Sequence, residues 1–446
     1  MAETAPSRWS NPLGIDNASH LRVWGSGILK FGSMSPAPSP VFRAAGWLAF
    51  ASAAAIVFSI AASQILLGAA LAALLVSRAP LRLPAIRLPL ALFLCGTLLA
   101  WILSGHLAGG IPQIKKIYVF GELLVVFSCL RNAKWIRALF LAWAGFAALA
   151  AAWGCIQFGA KIKEAHAQGL SFFSSGFYHF YVAERIKGFT SHWNTFSAEE
   201  MFALIMLAAF LMFARAPRRS VWLNAACGLL IALAVLLAET RGVWVATAAA
   251  GLYLLWVWKR KLVLLVPVLI GLAVVVSPPA IRERFQSILQ PKEVDSNQFR
   301  IVVWRTGVRM IAAHPWMGLG PEQPHAQFDQ WLPRDIPRPL PPGYYGHLHN
   351  VYLQYAAERG IPTTLMMLWL LAQIVVDFRR GARSLPPGRD DRRFLLHGGV
   401  AVVLAVLAEG FVEYNLGDTE VLTMFLVVTA CGYLALEHDI GWEQAS

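Results

Sequence analysis

The chain has 446 residues, 57% of them hydrophobic and only 14% charged, with a formal net charge of +13. Soluble domains usually carry about 25% charged residues, so this composition excludes an ordinary soluble enzyme. The apolar residues come in repeated blocks of roughly 17–25, the length a helix needs to cross the hydrocarbon core of a bilayer. The positive charge then reads as a topological signal, and a nucleic-acid partner is excluded.

Residues 1–40 hold no apolar run with a cleavage site, so no signal peptide is expected, and Gly32–Pro40 reads as part of a flexible cytoplasmic N-terminus. Nine apolar blocks follow within 41–277, at about 43–60, 61–77, 87–105, 117–130, 135–158, 196–214, 221–238, 242–258 and 262–277. A polar stretch at 278–360 interrupts them and reads as a loop region with short helices. Three more blocks, at 361–378, 395–413 and 420–436, fill 361–437, and 438–446 is a cytoplasmic tail. The expected fold is an all-α integral membrane protein of about twelve transmembrane helices with one long outer loop region.

Alternate short loops are basic: Arg78/Arg82/Arg87, Arg131/Lys134/Arg137, Arg215/Arg218/Arg219, Lys259/Arg260/Lys261 and the cluster Arg379–Arg393. The positive-inside rule makes these cytoplasmic, with both termini. The loops at about 104–116, 159–195, 239–241, 278–349 and 414–419 then face outside. The five cysteines lie in apolar blocks without close pairing and read as packing residues.

Several outer residues can carry chemistry. Lys115 and Lys116 follow Ile111-Pro112-Gln113, and Arg185 precedes Gly188–Asn194. Arg241 sits between two apolar blocks joined by almost no loop. A cation at that depth is costly unless it is paired or lines a wet cavity, and Thr240 and Gly242 leave room for a ligand. In Asn297–Arg309, Arg300/Trp304 and Arg305/Arg309 are each four apart and share helix faces. That pattern fits a helix lying on the outer leaflet or an arginine gripping a phosphate. His314–Pro321, with Gly318 and Gly320, reads as a structural corner; no strand precedes it, against a nucleotide-binding loop.

His347-Leu348-His349-Asn350 ends the polar stretch where the chain re-enters apolar sequence. It allows three readings. Zinc binding with His325 and Asp329 is one, and a helix cap by Asn350 is another. The third makes His349 a proton acceptor, its ring kept neutral by the positive end of the helix. Pro362, after Gly360-Ile361, should kink the helix that follows. Glu409, Glu413, Asp418 and Glu420 surround a turn on the same side.

Taken in order, Glu239-Thr240-Arg241-Gly242, Arg300-x-x-x-Trp304, His314–Pro321 and His349-Asn350-x9-Gly360 resemble the O-antigen ligase family. Its superfamily includes O-antigen polymerases and protein O-oligosaccharyltransferases, and the resemblance covers about 40–437. One position departs: the family often has a second glycine three residues after the first, where this chain has Thr363, which puts close backbone packing there in question. The resemblance implies a C-type glycosyltransferase-like architecture with neither metal nor nucleotide cofactor. It implies inverting transfer of O-antigen polysaccharide from undecaprenyl diphosphate to lipid A–core, on the periplasmic face of a bacterial inner membrane. His349 would be the general base, Arg241 and Arg300 would stabilise the diphosphate, and Lys116, Arg185 and Asp418 are further substrate-binding candidates. An O-antigen polymerase, a protein O-oligosaccharyltransferase and a transporter of polyprenyl-linked glycans are the alternatives; charges gathered at one face and the lack of a repeat favour an enzyme over the transporter.

Overall fold

The computed structural model describes residues 39–277, 282, 297–438 and 440–442. The expected N-terminal lead-in, most of the 278–296 stretch and the end of the tail lie outside the described residues. Each of the twelve apolar blocks carries a helix, and no strand occurs among the described residues. The first half contains α1 (Pro40–Ala55), α2 (Ile60–Val76), α3 (Arg87–Leu103), α4 (Leu107–Lys115), α5 (Gly121–Cys129), α6 (Ala133–Ala167), α7 (Ser175–Ala183) and α8 (Trp193–Phe213). Then come α9 (Arg218–Leu237), α10 (Arg241–Val263), α11 (Val266–Val276), α12 (Asn297–Ala313), α13 (Gln323–Ala326), α14 (Phe328–Trp331), α15 (Val351–Ser384), α16 (Asp391–Glu409) and α17 (Thr419–Leu434).

Local sequence explains where these helices start. Ser39, Ser59, Asn132, Asp390 and Asp418 each precede a helix and accept a first-turn backbone N–H with the side chain, the usual role of short polar residues at an N-cap. Ser59 places the first break at 56–59, close to the 60/61 boundary expected from the apolar pattern.

Five helices, α6, α8, α9, α10 and α15, are long and apolar enough to cross a membrane; α2, α3 and α17 are shorter apolar helices. The others fall short of the twelve-crossing expectation in length or composition. The 117–130 block, for example, is a 3-10 turn at Lys116–Phe120 followed by the nine residues of α5. At 1.5 Å per residue α5 spans only about 14 Å, half a hydrocarbon core. One large apolar core joins α1, α2, α5, α6, α8, α15, α16 and α17. A second, smaller core forms from Phe299, Val302, Val303, Met310, Leu319, Phe328, Leu348 and Ala357.

The break in α15 comes from Gly360 and not, as expected, from Pro362. Gly360 has φ 79° and ψ 165°, whereas the chain is helical again around Pro362. Pro362 follows the break closely, where a helix start leaves backbone N–H groups unpaired anyway. The segment 314–321 packs directly on this break. A Cβ at Gly360 would lie 2.0 Å from the Trp316 carbonyl oxygen, and one at Gly318 would lie 2.4 Å from the Glu358 carbonyl carbon. The corner and the helix break are therefore one joint.

Thr363 replaces the expected second glycine without loss of close packing, because the partner helix supplies one. A Cβ at Gly96 of α3 would sit 2.5 Å from Thr363 Oγ1. Gly96→Ala should lower the melting temperature of the purified protein, and adding Thr363→Gly should restore most of it. Equal melting of the single variant and the wild type would contradict this contact. Gly360→Ala should destabilise by at least about 1–3 kcal/mol, the range for a residue forced into sparsely populated backbone space.

Candidate active site

Leu348, Asn350 and Val351, on either side of His349, fix the histidine. Leu348 is buried in the smaller core, and its N–H donates to Gln354 Oε1 at 2.8 Å. Asn350 caps α15, its Oδ1 accepting the Leu353 N–H at 2.9 Å. Its Nδ2 donates to the Phe411 carbonyl at 3.0 Å, and the Val351 N–H donates to the Gly410 carbonyl at 2.8 Å. These bonds pin the start of α15 to the connection after α16. Between them His349 has φ 46°, a left-handed conformation that a non-glycine residue holds only where its surroundings enforce it.

This docking brings His349 to Glu413. Nδ1 lies 3.2 Å from Glu413 Oε1 and 3.3 Å from Oε2, and Nε2 lies 3.0 Å from the Tyr344 carbonyl oxygen. Glu413 also accepts from Asn194 Nδ2 at 3.0 Å and from the Tyr414 N–H at 3.1 Å. Burial would raise the Glu413 carboxyl, but the hydrogen bond to His349 and the positive charge around it, Arg300 included, outweigh it and bring it down to about 2. Glu413 is thus an ionised carboxylate.

His347 stands beside this pair, its ring centroid 4.0 Å from that of His349 and its Nε2 3.7 Å from Glu413 Oε1. Burial drives the imidazole down to about 4, so it is neutral at ordinary pH. Its Nδ1 accepts the His349 N–H at 3.2 Å, which leaves its one proton on Nε2.

His347, His349 and Glu413 have ligand atoms within 4.8 Å of one another, the one such group among the described residues. A metal fits this set poorly. A ligating nitrogen must offer a lone pair, and that of His347 is already taken by a backbone N–H. The ligands considered from sequence go elsewhere: His325 Nδ1 is 3.4 Å from the Tyr345 carbonyl oxygen, and Asp329 pairs with Arg338 at 3.1 Å.

A cavity of about 1330 Å³ opens beside His349. It is lined by all six residues singled out from sequence: Lys116, Arg185, Arg241, Arg300, His349 and Asp418. Lys116 Nζ donates to the Gly417 carbonyl at 2.6 Å. Arg185 donates to the Glu239 carbonyl at 3.2 Å and lies over the Trp193 ring at 4.6 Å. Arg241 is the first residue of α10, directly after Glu239 and Thr240. On α12 the two arginine spacings divide: Arg300 and Trp304 line the cavity, while Arg305 pairs with Asp335 at 2.6 Å.

Two sequence readings gain detail. Gly242 lines the cavity beside Thr240 and Arg241, and it also serves helix packing, since a Cβ there would lie 2.7 Å from Val412 Cγ2. Asp418 is largely occupied by structure, since Oδ1 accepts the Glu420 N–H at 3.1 Å and Oδ2 accepts from Thr195 Oγ1 at 2.6 Å. Tyr344, Asn194, Gln354, Glu322 and Glu358, which carry no signal of their own in the sequence, line the same cavity. Only contacts distant in sequence reveal them.

Residues 226–368 match the family model described as O-antigen ligase. Over that segment, about a third of the chain, the sequence is similar to the O-antigen ligase family. It carries Arg241, Arg300 and His349, while Lys116, Arg185, Glu413 and Asp418 come to the cavity from outside it. No curated protein matches the chain. The family supports glycosyl transfer of the ligase or polymerase type, acting on polysaccharide and lipid-linked substrates.

The His347 tautomer can be checked directly. Purified protein treated with EDTA should keep its turnover and take up no stoichiometric zinc on titration; a tight zinc site lost in His347→Gln would contradict it.

Proposed function

We propose that the protein is a metal-independent, inverting O-antigen ligase. It joins O-antigen polysaccharide, carried on undecaprenyl diphosphate, to lipid A–core at the periplasmic face of the inner membrane. The observation that carries this reading is the convergence of Lys116, Arg185, Arg241, Arg300 and His349 on one cavity from five separate stretches of a membrane-type chain.

The chemistry follows from the donor. Its sugar is already bonded to a diphosphate, so the leaving group needs charge stabilisation and no further activation. The acceptor hydroxyl attacks the anomeric carbon as the carbon–oxygen bond to the diphosphate breaks. The bonding pair leaves with undecaprenyl diphosphate, and the anomeric centre inverts. Arg241 and Arg300, held by folded elements, stabilise the charge growing on the diphosphate oxygens. His349 takes the hydroxyl proton. Lys116 and Arg185 add positive charge to the cavity lining for the same anion, and Asp418 holds the walls through Thr195 and the cap of α17. A water-lined cavity is where a membrane protein can keep four cations without prohibitive desolvation.

The deciding experiment supplies reconstituted protein with labelled undecaprenyl diphosphate-linked glycan and, separately, lipid A–core, a second lipid-linked glycan and a serine/threonine peptide. Label should move to lipid A–core. Transfer to the second glycan would make it a polymerase, transfer to peptide a protein glycosyltransferase, and translocation without bond formation a transporter. In the same assay His349→Ala should cut turnover by about 10²–10⁴-fold in a protein that still folds. Arg241→Ala or Arg300→Ala should each cost about 10²–10³-fold.

A further inference from the structure

The two ring nitrogens of His349 have different surroundings. Nδ1 faces the Glu413 carboxylate, which is held in place by Asn194 from α8 and by the Tyr414 N–H. Nε2 faces the Tyr344 carbonyl oxygen, on a solvent-exposed residue that itself lines the cavity. A carboxylate and a carbonyl oxygen both only accept, so the observed arrangement suits a ring carrying both protons. Removing one proton must then free one nitrogen. The Nδ1 side is walled in by a buried, ionised carboxylate; the Nε2 side is covered only by a loop carbonyl at the cavity surface.

We propose that Glu413 is a positioning residue for His349: it keeps a proton on Nδ1 and thereby makes Nε2 the atom that takes the acceptor's proton. This rests on the reading of the cavity as a glycosyl-transfer site. The position now held by the Tyr344 carbonyl oxygen, 3.0 Å from Nε2, is where the acceptor hydroxyl oxygen belongs in the reactive complex. Acceptor binding therefore requires Tyr344 to turn away. As the new glycosidic bond forms, the hydroxyl proton passes to Nε2 and the diphosphate departs with the electron pair. The imidazolium so formed is stabilised by Glu413 across Nδ1–H and then returns its proton to water. His347 contributes no second base here, because its lone pair accepts the His349 backbone N–H.

The test compares Glu413→Gln and Glu413→Asp with the wild type and His349→Ala, measuring kcat, donor KM and melting temperature. An amide can present its NH2 to Nδ1 and move the ring proton to Nε2, the wrong tautomer; loss of an orienting carboxylate of this kind costs up to about 10⁴-fold in kcat. Glu413→Gln should therefore lower kcat by about 10²–10⁴-fold while donor KM stays within about twofold. Glu413→Asp, which keeps the charge but loses one methylene, should recover at least about tenfold of that loss. If Glu413→Gln fails to fold, Glu413→Ala takes its place: reduced kcat at unchanged donor KM supports the role, and wild-type kcat overturns it. A Gln variant with near-wild-type kcat, or one whose kcat loss merely follows lost donor binding or lost folding, overturns it as well. Full turnover in His349→Ala would instead remove the underlying reading.

Discussion

A helix opened within an apolar bundle leaves backbone groups that must find new partners. At Gly360 the partners come from the segment 314–321. The Leu319 N–H donates to the Ala357 carbonyl at 2.8 Å, and the Gly320 N–H to the Glu358 carbonyl at 2.9 Å. From the other side the Ile361 N–H donates to the Pro315 carbonyl at 2.8 Å. From this joint a chain of hydrogen bonds runs to the histidine. Gln354 Nε2 donates to Glu358 Oε1 at 2.9 Å, and Gln354 Oε1 accepts the Leu348 N–H at 2.8 Å. Glu358 is 0% exposed and pairs with Arg359 at 3.3 Å. The segments 314–321 and 347–349 are thus clamped to the first turns of α15, and the left-handed backbone of His349 is enforced by them.

A second constraint is electrostatic. The cavity gathers cations from α10, α12, the stretch before α8 and the turn after α4, yet His349 itself leans on a carboxylate. The two demands are separated in space by the fold: Glu413 is committed to His349, Asn194 and the Tyr414 N–H, while Lys116 rests on the neutral Gly417 carbonyl. An anionic leaving group and a proton acceptor can then act side by side.

Much of this was legible in the sequence because it rests on local signals. Apolar block length revealed the helices, Asn350 announced its cap, and Arg241 was conspicuous as a cation between two apolar blocks. What escaped depends on long-range packing. Gly96 compensates for Thr363 from a helix more than 250 residues earlier, which only a backbone contact discloses. Glu413 resembled any loop carboxylate until Gly410 and Phe411 were seen to receive the start of α15. Pro362 was credited with a kink that belongs to Gly360, because sequence shows which residue disfavours a helix but not which one adopts a positive φ.

The most direct measurement is a cryo-EM structure of the protein with an unreactive analogue of an undecaprenyl diphosphate-linked glycan. The expected density places the diphosphate between the Arg241 and Arg300 guanidinium groups, with the anomeric carbon turned toward His349 and the Tyr344 carbonyl displaced from Nε2. Diphosphate bound outside this cavity, or a sugar turned away from His349, would contradict the proposed chemistry.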